Sequence, residues 1–158
     1  KAMRRYEREV TDPAKIGEII AACACCRLGL ADAGEVYIVP MNFGYEERDG
    51  KRYFYFHSAH EGRKIELLRR GGRVGFELDT GYRLIAGESA CGYTAAYQSV
   101  IGTGSVVFLD DRKDKRHALQ RLMLHTAGRG DFDFSPEALD RTAVFRLEVE
   151  TLSCKAHR

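Results

Sequence analysis

Apolar residues change their spacing several times along this chain, and each change marks a new element. In TDPAKIGEIIAACA, Ile16, Ile19 and Ile20 fall on one stripe at the helical repeat. Asp12 stands where an N-cap accepts from the first free amides, and Pro13 takes the first helical position, so the spacing predicts an amphipathic helix. CCRLGLA and EVYIVPMNFGYE follow as two apolar or alternating runs. DAGE separates them, and its Asp and Gly suit a tight turn, which predicts a β-hairpin. A further turn at Asp49-Gly50 leads into RYFYFHS, a third strand rich in aromatic residues.

The alternation then gives way. Ser58 and Glu61 have the S-x-x-E spacing of a capping box, and Ile65 and Leu68 share one face, predicting a helix that stops at Gly71-Gly72. RVGFELD resumes the strand pattern. The interval from Thr80 to Thr94 contains Gly81, Gly87 and Gly92 without clear periodicity and reads as a long loop, a kind of segment that is often functional. YQSVIGTGSVVFLD is a long strand in which Gly102 and Gly104 mark a bulge or a close backbone approach. DRKDKRHALQRLMLHTAG predicts a helix with Ala118, Leu122 and His125 along one side, and SPEAL a short helical turn. TAVFRLEVETLSCK is a last alternating strand, Val144, Leu147 and Val149 being among its apolar members. Six strands with three or four helices, joined mostly by links too short for a parallel crossover, predict an α+β, mostly β fold: a closed, six-stranded antiparallel barrel flanked by helices.

Composition narrows the classes. A chain of 158 residues is most simply one domain over 1–158, and 44% hydrophobic with 30% charged residues is ordinary for a globular protein. The net charge is only +2, and the two signs are interleaved, so no basic stripe is available for nucleic acid. There is no apolar run near the roughly 18 residues of a membrane span, and KAMRRYEREV lacks a signal-peptide centre; a cytoplasmic location is the expectation. The five cysteines are odd in number, and the CACC run has no downstream Cys/His pair at ligand spacing, which argues for reduced thiols and against zinc. Cys23, Cys25 and Cys26 read as small buried residues.

One stretch carries chemistry. HSAHEGRK lies where a strand hands over to a helix and gathers an imidazole, a hydroxyl, a guanidinium and an ammonium at His57, Ser58, Arg63 and Lys64. A phosphate dianion needs such donors: Arg grips two oxygens at once, Lys acts as a point charge, and a helix start adds free amides. From spacing alone, the same residues also fit a solvated first turn. His57 and His60 have no third partner that would make them a metal site, and none is expected. His117 reads as solvated, His125 as a helix-end residue near free carbonyls, and His157 as part of a terminal tail.

Taken in order, RLGL, YIVPMNFGYE, YFYFHSAHEGRKIELLRR, RVGFEL, YQSVIGTGSVVFLDD and CKAHR resemble the nitroimidazole-resistance (Nim) family. That family is a branch of the pyridoxamine-5′-phosphate-oxidase-like flavoproteins with an FMN-binding split barrel, and the likeness runs through nearly the whole chain. The resemblance implies a homodimer of six-stranded split barrels with FMN in the groove between protomers. It assigns the FMN phosphate to Arg63 and Lys64, the phosphate and ribityl side to His57 and Ser58, and the isoalloxazine wall to Pro40, Met41, Asn42 and Phe43, through backbone as much as side chains. It also brings Gln98 and Ser99 to the cofactor, from the neighbouring chain. The sequence departs from the family pattern at Gly71-Gly72, where Asn-Pro is usual, at Gln98, where a basic residue is expected, and at Cys154, where Gly is common.

The activity so implied is an FMN-dependent reductase acting on small electron-poor substrates, nitroaromatics such as 5-nitroimidazoles, with a reduced nicotinamide or another electron donor. His57 is the candidate proton donor or polar contact near the ring, and Tyr93 and Tyr97 could stack on an aromatic substrate or cover the barrel's end. Two alternatives stand beside it. One is a flavin carrier or sensor without dedicated turnover, which Gln98 keeps open. The other is a pyridoxamine-phosphate-oxidase-type enzyme, whose Arg-containing tail LSCKAHR does not match.

Overall fold

In the computed structural model, residues 3–158 are described. After a 3-10 turn at Tyr6–Arg8 come α1 (Pro13–Ala22), β1 (Cys26–Asp32), β2 (Glu35–Met41), β3 (Gly44–Arg48), β4 (Lys51–Ser58), α2 (Arg63–Arg69) and β5 (Arg73–Ile85). A second 3-10 turn, Ala90–Gly92, precedes β6 (Thr94–Leu109), α3 (Arg112–Ala127), α4 (Pro136–Arg141) and β7 (Ala143–His157). Asp12 caps α1 as the sequence predicts, its side chain accepting from the Ala14 amide, and Asp111 and Ser135 do the same for α3 and α4.

All the strands belong to one antiparallel sheet in the order β2-β1-β5-β6-β7-β4-β3. It has seven strands, not six, and its edges are not hydrogen-bonded to each other. The extra strand comes from EVYIVPMNFGYE, which breaks at Asn42-Phe43. Its first half pairs with β1 at one edge of the sheet, and its second half pairs with β4 at the other.

Phe43 makes that break. Its ring is fully buried, edge-on to Phe54 at 5.6 Å and 4.1 Å from the His125 ring, so the chain turns inward there instead of continuing flat. Gly44 then runs so close to α3 that a Cβ on it would lie 2.5 Å from the Leu122 amide nitrogen. Because Met41 and Gly44 end strands at opposite edges yet are separated by three peptide links, at most about 11 Å, the sheet must roll until those edges approach. The barrel is therefore rolled and open, with β2 and β3 in line across the gap rather than side by side.

Three more expectations change. The interval from Thr80 to Thr94 is a loop only over 86–93: β5 runs on to Ile85, and β5 and β6 continue as a ribbon pairing Arg83 with Ala96 through Ile85 with Thr94, after a register shift next to Gly81. Tyr82 and Leu84 stay exposed on this ribbon, so no burial alternation reveals it in the sequence. The capping box does not form. Ser58 remains in β4 opposite Ala143, and α2 begins only after Gly62, whose φ of 129° is open to glycine and which supplies no capping side chain. His157 is likewise strand, paired with Tyr97, and its Nδ1 lies 2.6 Å from the Ala95 carbonyl oxygen. The bulge expected near Gly102 and Gly104 is present, as a register shift between Thr103 and Gly104.

Phe54, Phe56, Phe76, Phe145 and Leu147 fill the rolled sheet, against Ile16, Ile19 and Ile20 of α1 and Ile65 and Leu68 of α2. A second cluster joins Tyr55 and Val144 to Ala118, Leu119 and Leu139 of the last two helices. Each large side chain fully buried in this way contributes about 1.5–3 kcal/mol. Cys23, Cys26 and Cys154 are buried, Cys25 is half-buried, and all five thiols are free. The Cys23 thiol donates to the Ile19 carbonyl, and burial pushes its pKa up to about 12, so it is inert at neutral pH. No described helix is long and apolar enough to cross a membrane.

Candidate functional site

The end of β4 and the start of α2 put His57, Ser58, Arg63 and Lys64 within one short turn of chain, as their sequence spacing predicts. What surrounds them was not legible beforehand. Arg63 Nη2 donates to Asp32 Oδ2 at 3.3 Å, lies 4.0 Å from Glu35, and holds its guanidinium 4.5 Å over the Tyr37 ring. Arg70 Nη1 donates to the other Asp32 oxygen at 3.1 Å. Asp32 is thus shared by two guanidiniums, and Tyr37 fixes the plane of one of them.

Lys64, half-buried beside them, forms no hydrogen bond or ion pair with any described residue. Partial burial first, and the Lys64 ammonium second, hold the His57 imidazole below its ordinary pKa. His57 therefore stays neutral to a lower pH than a free imidazole and keeps both a donor and an acceptor nitrogen at neutral pH. His60 Nε2 lies 3.0 Å from the Asp140 carbonyl oxygen, which ties this turn to α4.

The other predicted residues are more dispersed. Val36, Ile38 and Pro40 face outward on β2, whereas Met41 is buried and Phe43 fully so. Of the expected ring wall, Pro40 and Asn42 offer side chains, and Met41 and Phe43 can offer only backbone. Gln98 and Ser99 lie far from His57 within one chain. The row through His57 crosses β7 at Val144 and reaches β6 at Leu109, ten residues from Ser99. That is about 33 Å of strand.

Tyr93 is exposed beyond the second 3-10 turn. Tyr97 is half-buried, its hydroxyl accepting from Arg8 Nη1 at 3.4 Å and its ring 6.3 Å from that of His157, so it packs under neighbouring side chains. Asp32, Tyr37 and Arg70 complete the Arg63 environment and were missed in the sequence. Asp32 ends β1 beside the hairpin turn, where an acidic residue needs no further explanation, and only the fold brings that end of the hairpin against α2.

The family model described as pyridoxamine 5′-phosphate oxidase matches residues 12–156. Among solved structures, one protein from Bacteroides thetaiotaomicron, provisionally assigned to 5-nitroimidazole antibiotic resistance, is 34% identical, with 93% of this chain and 85% of that one covered and a TM-score of 0.80. The flavocytochrome Anf3 from Azotobacter vinelandii superposes with a TM-score of 0.81 at 19% identity, covering 99% of this chain and 72% of that one. A FAD-binding protein from Mesorhizobium loti gives 0.66 at 23% identity, covering 96% and 98%. At these identities the last two share the fold. No curated protein matches the chain. With its rolled antiparallel sheet, a family model spanning nearly its whole length and a solved relative a third identical to it, the chain belongs to the pyridoxamine 5′-phosphate oxidase family.

Proposed function

We propose that this protein is an FMN-dependent oxidoreductase that works as a homodimer and reduces small electron-poor substrates, with nitroaromatics of the 5-nitroimidazole kind as the substrate class. The observation that carries this reading is Lys64, a half-buried cation without a counter-ion next to Arg63. Arg63 and Arg70 are matched by Asp32 and Glu35, so the adjacent Lys64 charge remains to be matched, and the uncapped turn at Gly62 leaves backbone amides beside it. This donor set fits the phosphate of a flavin mononucleotide.

FMN, when bound, supplies the hydride and electron transfer. The protein's own residues bind and orient. Lys64 gives a point charge to the phosphate, while Asp32 and Tyr37 hold the Arg63 fork ready for two of its oxygens. His57, neutral at pH 7, holds or passes a proton at a ring nitrogen. Backbone at Met41–Phe43 and the Pro40 side chain wall the ring.

Two features support the homodimer. Gln98 and Ser99 are too far along β6 to join the His57 end of the same chain, so a second copy would have to supply them. Val36 and Ile38 on β2 and Ile101 on β6, 73%, 64% and 53% exposed, are apolar side chains on one sheet, with the Arg27–Glu77 ion pair between the two strands, that a second copy would cover. The nitroimidazole reading draws on the name of the Bacteroides relative, and the flavin on the family and on the names of structural neighbours.

A visible spectrum tests the proposal. Purified protein reconstituted with FMN should be yellow, bleach anaerobically with NADH or NADPH, and regain its colour on adding a 5-nitroimidazole. A yellow protein inert to every donor would favour a carrier or sensor, and release of peroxide with pyridoxine phosphate would favour the pyridoxamine-phosphate-oxidase reaction.

A further inference from the structure

Where β3, β4 and β7 meet α3 lies a cleft of about 310 Å³, which shares no residue with the His57–Lys64 turn. Arg48 enters it from β3, Arg146 from β7, and Lys113 and His117 from successive turns of α3; Asp114 is the one carboxylate in its lining. The Arg48 and Arg146 guanidiniums lie against the Tyr53 ring, 5.1 and 5.3 Å from its centroid, so a neutral surface holds two like charges together.

These cations are poorly matched. Arg48 and Lys113 form no ion pair with a described residue. Arg146 gives Nη2 to Glu148 Oε1 at 2.7 Å, but its Nε–H is buried without an acceptor. Glu46, the other acid at the rim, is already engaged: its Oε1 accepts from the Tyr55 hydroxyl at 2.8 Å and lies 3.0 Å from His117 Nε2. Three permanent cations converge on one cleft whose lining holds a single carboxylate, so an anion that enters gains from all three. An orphaned guanidinium N–H marks a conformation that an acceptor would relieve, and with Nη2 given to Glu148 the Arg146 Nε–H is the donor left for it. The volume is at the lower end of small-molecule sites, which limits the occupant to something little larger than the anionic group itself.

We propose that this cleft is a second anion site, taking a doubly charged oxyanion of the phosphomonoester class, with Arg48, Arg146 and Lys113 as its ligands. It is independent of the flavin site.

Phenyl phosphate titrated into the full chain by calorimetry, at ionic strength held constant with chloride, tests it. The Lys64→Ala protein, in which the other phosphate candidate is disabled, should still bind one phenyl phosphate per chain within about twofold of the parent. Arg48→Ala with Lys113→Ala should weaken that binding at least about tenfold, the loss expected for charge-assisted contacts. Both side chains are exposed, so the fold should survive, and Lys113→Gln alone, expected to weaken binding at least about threefold, provides a milder check. Absence of saturable binding, or binding abolished by Lys64→Ala and untouched by the Arg48 and Lys113 changes, would overturn the assignment.

Discussion

Replacing Lys64 with alanine separates the proposed cofactor role from stability, because this side chain has no partner to lose in the folded chain. A substitution of this kind should shift stability by no more than about 0.5 kcal/mol, or a Tm change of about 1–2 °C in a domain of this size. If Lys64 holds a phosphate, FMN binding loses a charge-assisted contact of about 1.5–3 kcal/mol, which raises Kd by roughly 12- to 150-fold. Arg63→Ala is a less clean test, since it also strips Asp32 of one of its two guanidiniums and uncovers Tyr37.

The variant has a second, independent readout. Burial is the main cause of the low His57 pKa and the Lys64 ammonium the lesser one, so Lys64→Ala should raise it part of the way back toward the ordinary value. A base whose folded pKa is depressed is protonated more readily in the unfolded chain. His57 therefore costs stability as pH falls below about 6.5, and does so less in the variant. Quenching of FMN fluorescence gives Kd, and the imidazole proton resonances give the titration. A variant that binds FMN as tightly as the parent, with the His57 titration unmoved, would refute the placement of Lys64 at both the phosphate and the imidazole.

Gly44→Ala should lower stability by about 1–3 kcal/mol, a Tm drop of about 2–12 °C, because its Cβ would meet the α3 backbone; an unchanged melting curve would contradict that close approach. Ile38→Asp with Ile101→Asp should give a monomer in light scattering and release FMN, whereas a monomer with full occupancy would rule out a shared groove. Burial opposes ionisation of Glu46, but hydrogen bonds from His117 and Tyr55 outweigh it and hold the carboxyl below its usual pKa. That stability is present above about pH 4.5 and is lost as pH falls through the folded value, so Glu46→Gln should melt lower at pH 7 and lose less on acidification; parallel acid profiles would contradict the pairing.

How far the chain could be read in advance follows from the range of each signal. The α1 start at Asp12-Pro13, the hairpins at the DAGE and Asp49-Gly50 turns, and the long β6 are written in neighbouring residues, and they stand in the structure. The break at Asn42-Phe43 is not local. Its cause is a ring buried against Phe54 and His125, and His125 lies more than eighty residues downstream, so alternation ran straight through it and gave six strands. The β5–β6 ribbon escaped notice because pairing, not burial, holds it. For the candidate site, the cations at 63 and 64 stood out by type, while Asp32, Tyr37 and Arg70, which decide how those cations are held, meet them only when the β1–β2 turn packs against α2.

The most direct measurement is a crystal structure of the full chain grown with saturating FMN. It should show a dimer with the cofactor's phosphorus atom within reach of Lys64 and of the Arg63 fork, and with Gln98 and Ser99 of the second copy closing the pocket. Electron density for FMN elsewhere, or an empty turn with Arg63 still bound only to Asp32, would contradict it.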